Sequence, residues 1–242
     1  MKAREFVERC AVFVTGLFVM ALGIAFTLHA DLGITPISCP PYVLSLGLRP
    51  TVGQFSIAMH VVFVLLQLAI LRKDFPAVQF LQVGVGFVFG FFIDLAVWLT
   101  GWCEPESYAA RLFFVVLGSA VVAAGITLQV LPKLIFCAGE GLMLVISKRL
   151  GKPFGKVKVV FDCTLLAISL VFSLVLFGEI RGVREGTVVS ALLVGFFVGK
   201  AQSRVGGLSR WLGRRRQAAE WREEYTVVTI AREFGSGGHE IG

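Results

Sequence analysis

The sequence predicts an all-α polytopic membrane protein: six transmembrane helices plus two short re-entrant or broken segments in two inverted repeats, with a short strand and a glycine-rich loop at the C-terminal end. Composition is the first reason. Of 242 residues, 56% are hydrophobic and only 16% charged, against about a quarter charged in soluble domains, and the mean hydropathy is +0.82. The second reason is that the apolar residues gather into uncharged runs able to cross about 30 Å of hydrocarbon. The third is a self-similarity at an offset of 102 residues. A soluble single domain is excluded.

Residues 11–30 make the first span. Lys2, Arg4 and Arg9 precede it as they would a signal peptide, but the apolar run is too long and no A-x-A cleavage site follows. Residues 34–48 are shorter and are interrupted by Pro36, Pro40 and Pro41, so they do not cross as a straight helix. Residues 56–71 and 78–102 supply the second and third spans, and residues 111–131 the fourth. Residues 134–147 form a second short segment, after which residues 157–177 and 187–201 complete the set.

Charge sets the orientation. If both short segments return to the side they entered from, then the N-terminus, Arg72-Lys73, Lys148-Arg149-Lys152 and the arginine-rich tail all fall in the cytoplasm. If both cross, Arg72 and Lys73 move outside, so six crossings fit the positive-inside bias better than eight. The expected location is a bacterial-type inner membrane, multi-pass, with both termini cytoplasmic. The net charge of +7 is thereby read as orientation charge, with the lipid bilayer rather than nucleic acid as its partner. Five cysteines are scattered without a CxxC or CxxxC pair, so neither a metal site nor a disulfide framework is signalled, and no cofactor is expected.

At the offset of 102, Gly23-Ile24 falls on Gly125-Ile126, the short segments overlie each other, and the turn at Gly53-Gln54 meets that at Gly155-Lys156. His60 then falls on Asp162, and after a change in loop length Gly86-Phe-Val-Phe-Gly90 matches Gly195-Phe-Phe-Val-Gly199. The expected domains are a membrane domain over 1–204, with repeats of about 8–102 and 110–204, then a basic juxtamembrane linker over 205–224 and a fragment over 225–242. Three crossings per half require the halves to be inverted, and in duplicated transporters the site lies at the repeat interface.

The run Ala30-Asp31-Leu32-Gly33-Ile34-Thr35-Pro36, with the Gly53-Gln54 and Gly155-Lys156 turns, resembles the YitT/YczE-like integral membrane proteins of bacteria over roughly residues 8–204. That resemblance implies fold and location far more than substrate.

Ionisable groups at membrane depth are costly and mark a pathway or a paired contact. Glu140, in the pliable Ala138-Gly139-Glu140-Gly141 stretch, is the leading substrate-pathway candidate, with Lys133 its one local cation. Ser38 holds the equivalent position in the first half, beside Thr35 and Cys39. His60, Asp162 and Asp31 complete the candidates. Each has a plainer reading: His60 as a packed bundle histidine, Asp162 as the i,i+4 partner of Lys158, and Asp31 as a cap for the short helix that follows. Asp94 is read as reaching water at the external end of its helix. No catalytic triad, metal cluster or carboxylate pair of useful spacing appears, so intramembrane enzyme chemistry is unsupported.

Beyond Arg204 the chain turns basic and aromatic, with Arg210, Trp211 and Arg214-Arg215-Arg216 suited to anionic headgroups. The β-branched run Thr226-Val-Val-Thr-Ile230 then leads into Gly235, Ser236, Gly237 and Gly238, a strand entering a phosphate-loop-like turn. The words Thr-Ile-Ala-Arg-Glu-Phe-Gly-Ser-Gly-Gly and Glu-Ile-Gly closely resemble the start of cytidylate-kinase-like proteins. The resemblance covers about 18 residues, lacks Gly-Lys-Ser/Thr, and implies a parent fused to a kinase-like domain of which this chain holds only the beginning. Two functions are expected from these readings: a small transporter or permease for a small polar or ionic substrate, or a membrane anchor or sensor that regulates the appended domain.

Overall fold

The computed structural model describes residues 3–132, 134–152 and 154–213. Among them every regular element is helical: α1 (Ala3–His29), a 3-10 turn (Pro36–Ser38) running into α2 (Cys39–Gly47), α3 (Val52–Leu71), α4 (Leu81–Leu99), α5 (Tyr108–Val130), α6 (Ala138–Leu150), α7 (Phe154–Phe177) and α8 (Glu185–Gly213). Five stretches are long and apolar enough to cross a membrane: Phe6–His29, Val52–Asp74, Ala77–Leu99, Tyr108–Val130 and Gly155–Phe177. The chain is therefore built as a multi-pass membrane protein.

α8 is 29 residues long, and among the described residues Glu185–Val198 is a shorter apolar helix. The expected span over residues 187–201 falls on α8. The two short segments form short helices, as their prolines and length required. At 1.5 Å per residue, the nine residues of α2 reach about 14 Å and the 13 of α6 about 20 Å, both short of the hydrocarbon thickness. The strand expected at 226–230 and the Gly235, Ser236, Gly237 and Gly238 loop lie outside the described residues, as does the linker beyond Gly213.

α1 is the central helix. Phe13, Leu17, Met20, Ala21, Ile24 and Ala25 pack with Phe89, Ile93 and Ala96 of α4 and Val122 of α5 into the main core. Its crossing with α5 is close because both helices present glycine. A Cβ on Gly16 would lie 2.6 Å from the Gln129 backbone nitrogen, and one on Gly118 would lie 3.0 Å from the Thr27 backbone nitrogen. One on Gly23 would lie 2.5 Å from the Val122 nitrogen, and one on Gly125 would strike the Met20 backbone. Early residues of α1 meet late residues of α5, so the two helices are antiparallel.

α3 and α4 form a second glycine seam. Gly53 and Gly90 each lie against the other's carbonyl oxygen, and Gly86 leaves room for the His60 ring, whose Cβ would be 2.8 Å from a side chain there. α7 and α8, although consecutive, do not pack along each other among the described residues, and Gly195 has no atom within 4 Å. The sequence match between the two glycine pairs thus does not translate into matching contacts.

The short helices α2 and α6 each lie against both α3 and α7. They start beside each other, since a Cβ on Gly139 would be 2.6 Å from Ile37 Cδ1. From there they diverge, α2 ending near Leu176 and Phe177, α6 carrying Ile146 toward Ile70.

Candidate functional site

Neither short helix has a capped start. Thr35, Ser38 and Cys137, at the N-caps of the 3-10 turn, α2 and α6, make no side-chain capping bond. At α2 this leaves little to cap, because Pro40 and Pro41 carry no N–H and Ser38 and Cys39 donate to the Thr35 carbonyl; at α6 the first-turn N–H groups and the positive end of the helix dipole have no side-chain cap.

Around the start of α6 the neighbouring helices contribute three glutamines. Gln67 from α3 donates through Nε2 to Gln82 Oε1 of α4 at 2.9 Å and to the Ala138 carbonyl at 3.0 Å. Gln129 from α5 donates through Nε2 to Cys137 Sγ at 2.8 Å. All three are at most 3% exposed. Gly141 is required there, because a Cβ would sit 2.8 Å from Gln82 Nε2 and 3.0 Å from Gln67 Oε1. Three side-chain oxygens in this cluster are buried without a hydrogen-bond partner: Gln67 Oε1, Gln129 Oε1 and Glu140 Oε2.

Glu140 stands in the first turn of α6. Lys158 of α7 acts on it electrostatically while donating to Asp162 Oδ2 at 2.7 Å. One lysine thus stands within reach of two of the expected site carboxylates, and the pairing of Asp162 with Lys158 is the plainer of its two readings. Lys133, the local cation expected beside Glu140, lies outside the described residues.

Ser38 is buried, and its oxygen accepts from Thr35 Oγ1 at 3.1 Å. Its neighbour Ile37 touches Gly139, the residue before Glu140, so the structure brings these two segments together. Cys39 approaches Thr187 Oγ1 of α8 at 4.0 Å, which puts a second, smaller polar group at the start of α2.

The remaining candidates stand apart from this cluster. His60 is buried, held through Nδ1 at 2.7 Å from the Ser56 carbonyl and enclosed by the rings of Phe63 and Phe89. Asp31 is exposed and caps nothing. It pairs with Arg111 at 3.4 Å and Arg184 at 3.6 Å, tying the end of α1 to α5 and to the loop before α8. Asp94 does not simply reach water: it accepts from Thr51 Oγ1 at 2.6 Å and from the Gly53 backbone N–H at 2.9 Å, capping α3 from α4. Asp94→Ala is expected to cost about 1–2 kcal/mol, the value of a charged N-cap, read as a lower thermal midpoint in detergent; an unchanged midpoint would contradict the capping role.

A separate cavity of about 330 Å³ is lined by His29, Cys103, Glu104, Pro105, Glu106 and Arg111. It lies at the end of the bundle where α1 finishes and α5 begins.

The glutamines were the residues that reading for ionisable groups missed. Their signal was available, since an amide in an otherwise apolar span needs a partner there too.

Residues 7–203 match the model of a family described as a family of unknown function, DUF6198. No curated protein matches the chain, and no solved structure matches it.

Proposed function

As the chain belongs to DUF6198, a family of unknown function, we propose from its own geometry that it is a small transporter or permease built as an inverted repeat, with its site at the start of α6. The carrying observation is the α1–α5 crossing. An offset of 102 residues turns Gly16 into Gly118 and Thr27 into Gln129, and the contacts obey the same exchange: Gly16 meets Gln129 while Gly118 meets Thr27. Ile37 becomes Gly139 under this offset, and these two touch each other. Such contacts are those of a two-fold axis lying across the bundle. The packing of α2 and of α6, each against both α3 and α7, fits the same symmetry.

Broken helices starting at a repeat interface suit a transporter, because backbone groups freed there must face protein or a water-lined cavity rather than lipid. The likeness of the Ala30–Pro36 loop to YitT/YczE-like membrane proteins agrees with this architecture. Proteoliposomes tested with a panel of small polar and ionic solutes are expected to show saturable uptake of at least one.

In this reading α8 is the sixth span, Glu185–Val198 extending through its flanks, and both termini are cytoplasmic in a bacterial-type membrane. A cysteine at Lys73 is then protected from an impermeant reagent in intact cells, while one at Glu104 reacts. Labelling at position 73 from outside would require eight crossings.

The second reading is a membrane anchor or sensor for an appended cytidylate-kinase-like domain, which the resemblance of residues 225–242 favours. Residues 225–242 are proposed not to bind nucleotide usefully, since their glycine-rich run carries no Gly-Lys-Ser/Thr. Titration with ATP or CTP is expected to give no specific heat. Absent uptake together with altered kinase activity in a full fusion would favour the anchor.

A further inference from the structure

We infer that the polar cluster at the start of α6 is a binding site for one monovalent cation, held by Glu140 and by the side-chain oxygens of Gln67 and Gln129.

The hydrogen bonds of the cluster leave three buried oxygens over. Both partners of Gln67 Nε2 are oxygens that can only accept, Gln82 Oε1 and the Ala138 carbonyl, so the orientation of that amide is set by its surroundings. Its oxygen is the end left over, in a side chain that is 0% exposed. Gln129, 1% exposed, in the orientation that donates its nitrogen to Cys137 Sγ, keeps a bare Oε1. Glu140 Oε2 is the third bare oxygen. Native interiors rarely leave such atoms unsatisfied, and three around one five-residue stretch call for an occupant. That occupant supplies positive charge or N–H donors; an anion would meet only repulsion from these oxygens.

Charge sets its valence. With Glu140 ionised against a bound ion, it and Asp162 carry two negative charges and Lys158, bonded to Asp162 at 2.7 Å, carries one positive. Among these described groups one negative charge remains, partly offset by the half-unit of the α6 dipole. A singly charged cation balances it, whereas a divalent ion overshoots. Space is provided by Gly141, where even a methyl group would sit 3.0 Å from Gln67 Oε1. Amide and carboxylate oxygens serve a hard alkali ion or an ammonium group alike, so the shared chemistry is a single positive charge received by oxygens. As the coupling ion or the substrate of a pathway, this occupant rests on the transporter reading; its binding does not.

The test is the thermal midpoint of the purified full chain in detergent at constant ionic strength, with N-methylglucamine replaced stepwise by Na⁺, K⁺, NH₄⁺ or methylammonium. A saturable rise in midpoint is expected for at least one of them, by linkage of binding to folding. A response confined to Na⁺ or K⁺ identifies an alkali ion, and one confined to the ammonium series identifies an amine. Glu140→Gln is expected to raise the half-saturating concentration at least tenfold. Gln67→Met gives the same reading if Glu140→Gln fails to fold, and Asp94→Asn, far from the cluster, leaves the response intact. The proposal is overturned if no monovalent cation gives a saturable shift, if Mg²⁺ gives an equal one, or if the folded Glu140 or Gln67 variants respond like the parent. A specific shift without any uptake of that ion into proteoliposomes would overturn the transporter reading and leave the site standing.

Discussion

Gly23→Leu is expected to abolish the folded protein. A Cβ at position 23 would lie 2.5 Å from the Val122 backbone nitrogen and 2.7 Å from the Gly118 carbonyl oxygen, so the obstruction is the partner helix itself rather than the tip of a flexible side chain. Overpacking that neighbouring side chains can absorb costs about 1–3 kcal/mol. Here relief requires α1 and α5 to separate, which also loosens the core that Leu17, Ala21 and Ile24 build with Val122 and Ile93. A cost above about 3 kcal/mol is a large share of the 5–15 kcal/mol that holds a typical domain together. Gly125→Leu, which meets the Met20 backbone, is expected to behave the same way. Gly84→Leu is the control: nothing lies within 4 Å of a Cβ there, and its midpoint is expected to stay near that of the parent. Size-exclusion profiles and thermal midpoints of detergent-purified protein decide the matter. A monodisperse Gly23→Leu variant with an unshifted midpoint would mean that α1 and α5 do not approach through these glycines.

The second large effect concerns the two glycine seams. In the first half, a Cβ on Gly90 would strike Ile57 of α3, and Gly86 adjoins His60; in the second half, Gly195 is bare. If the halves are inverted repeats that exchange conformations during alternating access, the equivalent seam closes in the other state. Val159 corresponds to Ile57 and Gly199 to Gly90. In a cysteine-free background, Val159→Cys with Gly199→Cys is therefore expected to cross-link in native membranes in a measurable fraction of molecules, and the yield is expected to shift with the cation that stabilises the protein. Complete absence of cross-linking under every ionic condition would mean that α7 and α8 do not close, and the alternating-access reading would lose its mechanical basis.

Each prediction draws on a different level of the chain. Hydropathy is a local property, and lipid enforces it residue by residue, because backbone polar groups in hydrocarbon must be satisfied within the same segment. For that reason the five long spans, and the shortness of the segments at Pro36 and Ala138, were legible before any contact was known. Asp162 with Lys158 was also legible, as four residues on a helix always share a face.

What the sequence by itself determined is the class of the molecule: a multi-pass helical bundle, two interrupted segments, and paired glycines at 23 and 125 available for close approach. Tertiary structure alone decided what each polar group does. It set His60 among phenylalanine rings, turned Asp94 onto the end of α3 and Asp31 onto two arginines, and gathered Gln67, Gln82 and Gln129 at the start of α6. The physical reason is that an uncharged amide hardly disturbs the hydropathy of the span that carries it, while its free energy in the folded protein depends on a partner 15 to 71 residues away, a distance over which no local pattern survives.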